Sequence, residues 1–206
     1  IGYTSTCAFT PVVLGLLRRY QEAHGGVVLG LVEMHTTVQL RALLEGRIDA
    51  GLIRSPLPDP EAQYTALTLL REPLVVALPV SHPLAAASAI ALADLRAEPF
   101  VLFPRTAGTG LFNDILTACR AAGFDPRIEQ EAPQYTSIIG LVSAGLGVSL
   151  VPQGLQQLRL DAVAYRPLVG TPVPAVTRTW PTSATGLTEV PRTCRTPSAM
   201  PFIPWM

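Results

Sequence analysis

The sequence is poor in cysteine and has no excess of charge of either sign, and both deficits narrow the classes of protein to consider. Its three cysteines, Cys7, Cys119 and Cys194, match neither a zinc site nor a disulfide framework in number or spacing. Buried, reduced thiols are the simpler interpretation, which favours a reducing cytoplasm. Lysine plus arginine equals aspartate plus glutamate at 15 each, so the basic excess typical of nucleic-acid-binding domains is missing. We therefore expect that this stretch of chain does not grip DNA itself.

Sequence signals for membranes and for enzymes are also missing. No apolar run approaches the ~20 residues that a membrane-spanning helix needs, and no secretory signal opens the chain. The opening Ile1-Gly2-Tyr3 is typical of a strand already under way, so we expect the chain to be part of something longer. The sequence contains no H-E-x-x-H motif, no G-x-S-x-G elbow and no P-loop. It predicts a protein that is not an enzyme and that holds no cofactor and no metal.

What the sequence has in quantity is apolar residues, which make up 49% of the chain. They form runs that alternate between strand-like and helical patterns as far as residue 168. The strand-like runs are short and continuous, which is typical of a parallel sheet covered on both faces. They comprise residues 27–34, 47–54, 74–79, 100–103, 147–151 and 162–168. The alternation predicts an α/β fold with right-handed crossovers.

Helix start and stop signals lie between these strands. Thr10 before Pro11 predicts a helix start with proline in the first turn. The segment Thr36-Thr37-Val38-Gln39 has the pattern of a capping box. A further helix over residues 134–144 would end at Gly145, a natural left-handed cap. The helix after Thr36 is expected to turn three residues inward, Leu40, Leu43 and Leu44.

An alanine- and proline-bearing stretch over residues 81–93 differs from the segments around it, and we interpret it as the passage into a second α/β lobe. Two lobes joined by two crossings of the chain would leave a cleft between them. The tail from Thr171 onward is rich in proline and has no strand or helix period, which predicts a loop or disorder. The predicted boundaries are residues 1–78 plus 164–180 for lobe I, 79–163 for lobe II and 181–206 for an irregular tail.

Hydroxyl and guanidinium groups gather where the predicted strands end and helices begin. A helix N-terminus offers unpaired N–H groups and a partial positive charge, so several of them facing one cleft suit a carboxylate. An arginine there would add a bidentate partner. Each group also has a structural alternative, because threonines cap helices and arginines pair with surface acids. The candidates by position are Ser5, Thr6, Thr36, Arg54, Arg105, Thr106, Gly110 and Thr136.

Two runs together resemble the effector-binding domain of LysR-type transcriptional regulators. The first is the E-G-R-I-D-A-G run of residues 45–51, and the second is the G-L-V-S-A-G-L-G-V-S-L-V-P run of residues 140–152. Shorter matches at Ile1-Gly2, at residues 20–24, 33–34 and 81–84 fall in the same order, so the resemblance covers residues 1 to 168. The sequence is most similar to the branch that controls the breakdown of aromatic compounds, including the benzoate, catechol and chlorocatechol activators.

The resemblance implies two Rossmann-like lobes of the type II periplasmic-binding-protein kind, with an effector in the cleft. Carried over by position, Thr6 and Thr36 would supply first-lobe hydroxyls for the carboxylate of the effector. Arg105 and Thr106 would be donors from the second lobe. Leu111 occupies a position where some members of the family place an aromatic ring. The family's winged helix-turn-helix domain would precede Ile1 and is not in this chain.

The predicted function is therefore a regulatory domain that senses a small organic acid, aromatic or muconate-like, and relays its binding to a winged helix-turn-helix. We expect a cytoplasmic homo-oligomer, a dimer or a tetramer, that reaches DNA only through the missing domain and has no membrane partner. The alternative is a solute-binding protein of a transport system with the same fold, because a fold alone does not settle function.

Overall fold

The predicted alternation of strands and helices runs through the computed structural model, which describes residues 1–54, 64–105, 109–170 and 175–183. The strands are β1 (Gly2–Tyr3), β2 (Val32–Glu33), β3 (Gly51–Arg54), β4 (Tyr64–Pro79), β5 (Ile90–Ala91), β6 (Pro99–Leu102), β7 (Arg127–Glu131), β8 (Ser149–Pro152), β9 (Val163–Val169) and β10 (Ala175–Ser183). The helices are α1 (Pro11–Ala23), α2 (Thr36–Leu44), α3 (Thr109–Ala121) and α4 (Tyr135–Ser143), with 3₁₀ turns at Ser5–Phe9, Pro83–Ala86, Leu92–Leu95 and Gln153–Leu158.

The long strand β4 organises the sheets. Its first part pairs with β10, and the order continues outward through β3 and β1 to β2. Its last part lies between β8 and β9, and β5 extends that sheet beyond β9. The β1–β2, β1–β3, β5–β9 and β6–β7 pairs are parallel, whereas β4 is antiparallel to β8, β9 and β10. The predicted parallel sheet is thus confirmed only in part, and the sheet is mixed.

The buried apolar side chains of the described residues form one large and two small cores. The large core joins Leu74 through Leu78 to buried residues as far along the chain as Leu168, with Phe100 fully buried in it. One small core contains Cys7, Val13, Leu52 and Leu69, and the other contains Ala42, Leu43 and Ile48. The α/β fold therefore has two lobes, and β4 passes from one to the other.

The crossing points differ from the predicted lobe boundaries. The partner of β4 changes from β10 to β8 between Pro73 and Leu74, which is earlier than the predicted boundary at residue 78. Strand β9 was expected in lobe I, but it pairs with the last part of β4 and packs in the large core. This packing favours a first crossing near Pro73 and a second one after Val169.

A contact between the lobes lies beside the first crossing. The carboxylate of Glu72 is buried, and its Oε1 accepts a hydrogen bond of 2.6 Å from the backbone N–H of Gly154. A Cβ atom at position 154 would lie 2.6 Å from the carbonyl oxygen of Phe9 in lobe I. Only glycine allows the two backbones to approach this closely, so the 3₁₀ turns at Ser5–Phe9 and Gln153–Leu158 pack directly on each other.

The tail contains a strand that its proline content argued against, so the prediction of a loop from Thr171 is wrong for residues 175–183. Strand β10 pairs with β4 along its whole length, but with β3 only at Arg178 and Thr179. Pro181 therefore lies in a part of β10 that pairs with β4 alone, and proline is tolerated at such an edge. Residues 184–206 lie outside the described residues.

Two other local predictions need correction. The strand predicted over residues 27–34 is confined to Val32–Glu33, and the side chain of Val28 is 94% exposed. On α2, Leu40 and Leu43 are buried as predicted, but Leu44, the last residue of the helix, is 57% exposed. By contrast, α1 begins at Pro11 after Thr10 as predicted.

The predicted capping box at the start of α2 is absent, because Gln39 has a different role. The N-cap residue is His35, and the side chain of Gln39 is fully buried below it. The Gln39 Nε2 group donates hydrogen bonds to the carbonyl oxygens of Met34, at 2.8 Å, and of Leu52, at 3.4 Å. Its Oε1 accepts one of 3.1 Å from the Leu52 N–H. The amide thus joins the end of β2 to β3.

The predicted glycine cap of α4 is confirmed. Gly145 has a φ of +79°, and its N–H donates to the Val142 carbonyl at 2.9 Å. The N–H of Leu146 donates to the Leu141 carbonyl at 3.1 Å, which completes a Schellman motif. In the part of the chain that the structure describes, no helix has both the length and the apolar character needed to span a bilayer.

Candidate ligand-binding cleft

A cavity of about 180 Å³ lies between the two lobes. Its walls follow the carboxyl ends of β1, β2 and β3 in lobe I and of β6 and β7 in lobe II. Ligands of open α/β sheets bind at such strand ends. The residues that line the cavity are Thr4, Ser5, Glu33, Met34, His35 and Arg54 from lobe I, and Phe103, Pro133, Gln134 and Tyr135 from lobe II.

The turn after β1 is hydrogen bonded to β3 next to the cavity. The Thr4 N–H donates to the carbonyl of Leu52 at 3.2 Å. The Thr4 Oγ1 lies 3.3 Å from the Sγ of Cys7, which in turn donates a long hydrogen bond of 3.7 Å to the same carbonyl. Both side chains are buried. Ser5 follows at the start of the 3₁₀ turn and reaches the cavity.

The second part of the lobe I wall is the start of α2 together with the end of β3. His35 caps the helix and lines the cavity, and Thr36 is the first helical residue. The Oγ1 of Thr36 accepts a hydrogen bond of 3.5 Å from the backbone N–H of Arg54. This bond brings the amide groups of the helix start close to the half-buried side chain of Arg54, so both sources of positive charge lie on one side of the cavity.

The lobe II wall is aromatic. Tyr135, the first residue of α4, is buried, and its ring lies 5.7 Å from that of Phe103. The ring of Phe103 also packs edge-on against Phe112 at 6.0 Å in the large core. The guanidinium carbon of Arg54 lies 5.8 Å from the centre of the Tyr135 ring. The cavity therefore combines a cation and hydrogen-bond donors on one side with an apolar, ring-bearing wall on the other.

The structure brings some of the sequence-predicted residues together at this cavity. Ser5 and Arg54 line it, and Thr36 is bonded to the backbone of Arg54. Thr6 is next to Ser5 but is 2% exposed, and its carbonyl accepts a hydrogen bond of 3.0 Å from the Oγ1 of Thr10. Thr6 is therefore part of the support of the turn rather than of the cavity wall.

Four other predicted residues, Arg105, Gly110, Leu111 and Thr136, are described and do not line the cavity. Thr136 follows Tyr135 on α4 but is exposed, and Arg105 is also exposed. Gly110 and Leu111 are in the first turn of α3, where the side chain of Leu111 packs in the large core. Thr106 lies outside the described residues. The binding roles assigned to these residues remain predictions.

Sequence reasoning missed Tyr135, Phe103 and Gln134 as wall residues. The criterion was a hydroxyl or guanidinium side chain at the end of a predicted strand, and aromatic side chains do not meet it. The available signal was the position of Tyr135 directly before Thr136, at the start of a predicted helix. Among the described residues, no group of three or more histidine, cysteine, aspartate and glutamate side chains is placed to hold a metal ion.

Two α/β lobes whose strand ends face a shared cavity define a domain of the type II periplasmic-binding-protein kind, as predicted. Residues 1–185 match the family model described as the LysR substrate binding domain. The chain therefore belongs to the LysR substrate-binding domain family, and the resemblance drawn from the sequence motifs is confirmed.

Named relatives agree with this assignment. The chain is 38% identical over 168 residues to the uncharacterized HTH-type transcriptional regulator YnfL of Escherichia coli (strain K12). The matched segment covers 82% of this chain and 56% of the relative. It is 38% identical over 171 residues to the HTH-type transcriptional regulator AlsR of Bacillus subtilis (strain 168), covering 81% and 54%. The chain thus spans about half the length of these curated relatives.

A solved structure also matches closely. The effector-binding domain of BenM with its effector benzoate superposes with a TM-score of 0.78 at 30% sequence identity. The match covers 88% of this chain and 81% of that chain. The two-lobed fold is therefore the fold of a domain whose crystal structure contains a small aromatic acid.

Proposed function

We propose that this chain is the ligand-sensing domain of a LysR-type transcriptional regulator and that its cavity binds a small organic acid. The observation that carries the proposal is the placement of Arg54 at a cavity to which both lobes contribute walls. The similarity to the BenM domain, which is described with benzoate as its effector, supports an acid as the ligand.

The chemistry of the two walls supports an aromatic or muconate-like carboxylate. Arg54, the Ser5 hydroxyl and the amide groups at the start of α2 supply positive charge and donors for a carboxylate. Phe103, Tyr135 and Pro133 on the opposite side offer apolar contact to the body of the ligand.

The proposed mechanism is a change in the relative population of two lobe arrangements. A ligand that contacts both walls binds the arrangement that closes the cavity better than an open one, and it shifts the equilibrium by that difference in affinity. A tenfold difference corresponds to about 1.4 kcal/mol. The shift would be passed to the winged helix-turn-helix domain of the whole regulator, within a cytoplasmic dimer or tetramer that contacts DNA through that domain.

The alternative of a solute-binding transport protein is not favoured, because the matched family is that of LysR regulators and both named relatives are HTH-type transcriptional regulators. No observation on the cavity favours an enzyme.

Isothermal titration calorimetry with benzoate and cis,cis-muconate tests the proposal. We expect binding to the wild-type chain and a loss of roughly ten- to a hundredfold in Arg54→Gln, the range expected for one charge-assisted hydrogen bond. Arg19→Gln changes an exposed arginine on α1 and is the matched control. Benzamide, which has the ring without the charge, should bind much more weakly. Absence of heat from every small carboxylate tried would contradict the proposal.

A further inference from the structure

A contact between a cation and a ring spans the cleft. Arg54 ends β3 in lobe I, and Tyr135 begins α4 in lobe II. The separation of 5.8 Å between the guanidinium carbon and the ring centre lies within the ~6 Å over which cation–π attraction is significant. Both residues also line the cavity. The contact therefore joins the two lobes at the place where the ligand is proposed to bind.

Each partner is fixed from its own lobe. The backbone of Arg54 is held by the Oγ1 of Thr36 and by the pairing of β3 with β10. The ring of Tyr135 is buried against Phe103, which packs on Phe112 in the large core. Because the backbone of Arg54 is anchored in lobe I and the ring of Tyr135 in lobe II, the contact between cation and ring joins two separately supported elements.

The chemistry of the contact leaves Arg54 able to bind an anion. A ring attracts a guanidinium group through the face of its π system and takes up none of the five N–H donors of the arginine. Those donors lie in the plane of the group, where a carboxylate binds in a bidentate manner. Tyr135 can therefore hold the cation in place while its donors contact a ligand. An arginine that is already held loses less conformational entropy on binding.

We propose that Tyr135 is a positioning residue: its ring holds Arg54 across the cleft, ready for the carboxylate of the effector. The aromatic face carries this role and the hydroxyl does not. That Arg54 is held ready for an effector rests on the function proposed above. The contact between Tyr135 and Arg54 is present in the chain without ligand.

The first test needs no ligand. In the wild-type chain, the ring current of Tyr135 should move the side-chain NMR signals of Arg54 upfield, in arginine-labelled protein with Arg54→Lys used to assign them. Tyr135→Phe keeps the ring and should keep the shift. Tyr135→Leu should return the signals to the position of a solvated arginine. Tyr20→Leu removes a ring on α1 that contacts His24 instead, and it should leave the signals unchanged.

The second test measures affinity for benzoate and cis,cis-muconate by calorimetry. Tyr135→Phe should bind as the wild type does, and Tyr135→Leu should bind about fivefold more weakly, as expected for one cation–π pair with a buried ring and a half-buried cation. In an Arg54→Gln background, Tyr135→Leu should cost less than it does in the wild type, because the contact with the cation is already gone and only the contact of the ring with the ligand remains to be lost. Tyr20→Leu is again the control and should leave both affinities unchanged.

The two tests separate this proposal from the proposed function. Unchanged Arg54 signals in Tyr135→Leu overturn the contact, whatever the chain binds. A loss of affinity in Tyr135→Phe as large as in Tyr135→Leu overturns the role of the ring and assigns the effect to the hydroxyl. If the signals respond as expected while the wild-type chain binds neither acid, the contact stands and the proposed acid-sensing function fails.

Discussion

The two lobes bury their residues in different ways. Lobe II has one continuous apolar core, and its largest fully buried side chain is that of Phe100. In the described part of lobe I the apolar side chains form two small clusters, and several others, among them Val28, are exposed. Apolar burial is the main source of stability in a folded domain. Among the described side chains, apolar burial is therefore more extensive in lobe II than in lobe I.

Lobe I compensates with buried polar groups that are hydrogen bonded. Thr4, Thr10 and Gln39 are all buried there, and each bonds to a backbone or side-chain partner. Such bonds are directional, so they fix geometry as well as adding stability. The lobe that carries the hydroxyls and the cation of the cleft is thus built by hydrogen bonds, whereas the lobe that carries the rings is built by apolar packing.

Removing a ring from the large core should give the largest effect. Phe100→Ala is expected to lower the free energy of unfolding by about 3–5 kcal/mol, because it deletes fully buried atoms and leaves a cavity. Leu43→Ala, in a small cluster of lobe I that can collapse more easily, should cost about 2 kcal/mol. Urea denaturation of the purified variants gives both values.

Leu44→Ala is the matched control for Leu43→Ala, since it changes the next residue of the same helix where the side chain is exposed. It should stay within about 0.5 kcal/mol of the wild type. If Leu43→Ala cost as much as Phe100→Ala, the two lobes would not differ in the way that their cores indicate.

Removing a polar group from lobe I should give the next largest effect. Gln39→Leu is expected to cost about 2 kcal/mol, because the Leu52 N–H and the Met34 carbonyl lose the buried amide as a partner, while the Leu52 carbonyl keeps the Thr4 N–H. The Leu52 amide should exchange its hydrogen faster, whereas amides of β8 should not change. Gln130→Leu, at an exposed site on β7, is the control. Unaltered exchange at Leu52 would show that lobe I does not depend on this bond.

A third prediction concerns pH and tests how well the large core excludes charge. Burial, with a contribution from Asp125, raises the pKa of the Cys119 thiol to about 11. The unfolded chain releases this proton near the ordinary thiol pKa of 9.0, so above that pH the native state binds more protons than the unfolded state. Stability should therefore fall as the pH rises, by about 1 kcal/mol between pH 8 and pH 10.

Cys119→Ala is the control for the pH series, because it has no thiol to titrate while the tyrosines that titrate at high pH are retained. The difference in unfolding free energy between the two chains should shrink toward pH 10. Parallel curves for the two proteins would mean that the thiol reaches water in the native state.

Local signals predicted local structure well. Pro11 and Gly145 mark the start of α1 and the end of α4, because each depends only on the backbone conformation of one turn. Strand β10 could not be found in this way. Its composition is that of a loop, and it forms because β4 and the end of β3 supply partners from far along the chain.

The cleft residues show the same division between what local sequence signals predict and what depends on the tertiary fold. Ser5 and Arg54 follow from the rule that functional groups gather at strand ends, and both line the cavity. Gln39 was assigned to a capping box from its spacing alone, whereas its partners on β2 and β3 are set by the tertiary fold. The position of Tyr135 before Thr136 places it near the cleft, but a role for its ring depends on the guanidinium group that the opposite lobe brings over it, so the sequence alone did not assign one.

The shared strand β4 has a mechanical consequence for any movement between the lobes. A β-strand is nearly inextensible along its axis but twists readily. Strand β4 pairs in both lobes, so its length cannot change when the lobes move. A rotation of one lobe must then twist the backbone of β4 around Pro73. We therefore expect the lobes to rotate relative to each other about β4 rather than to separate along it.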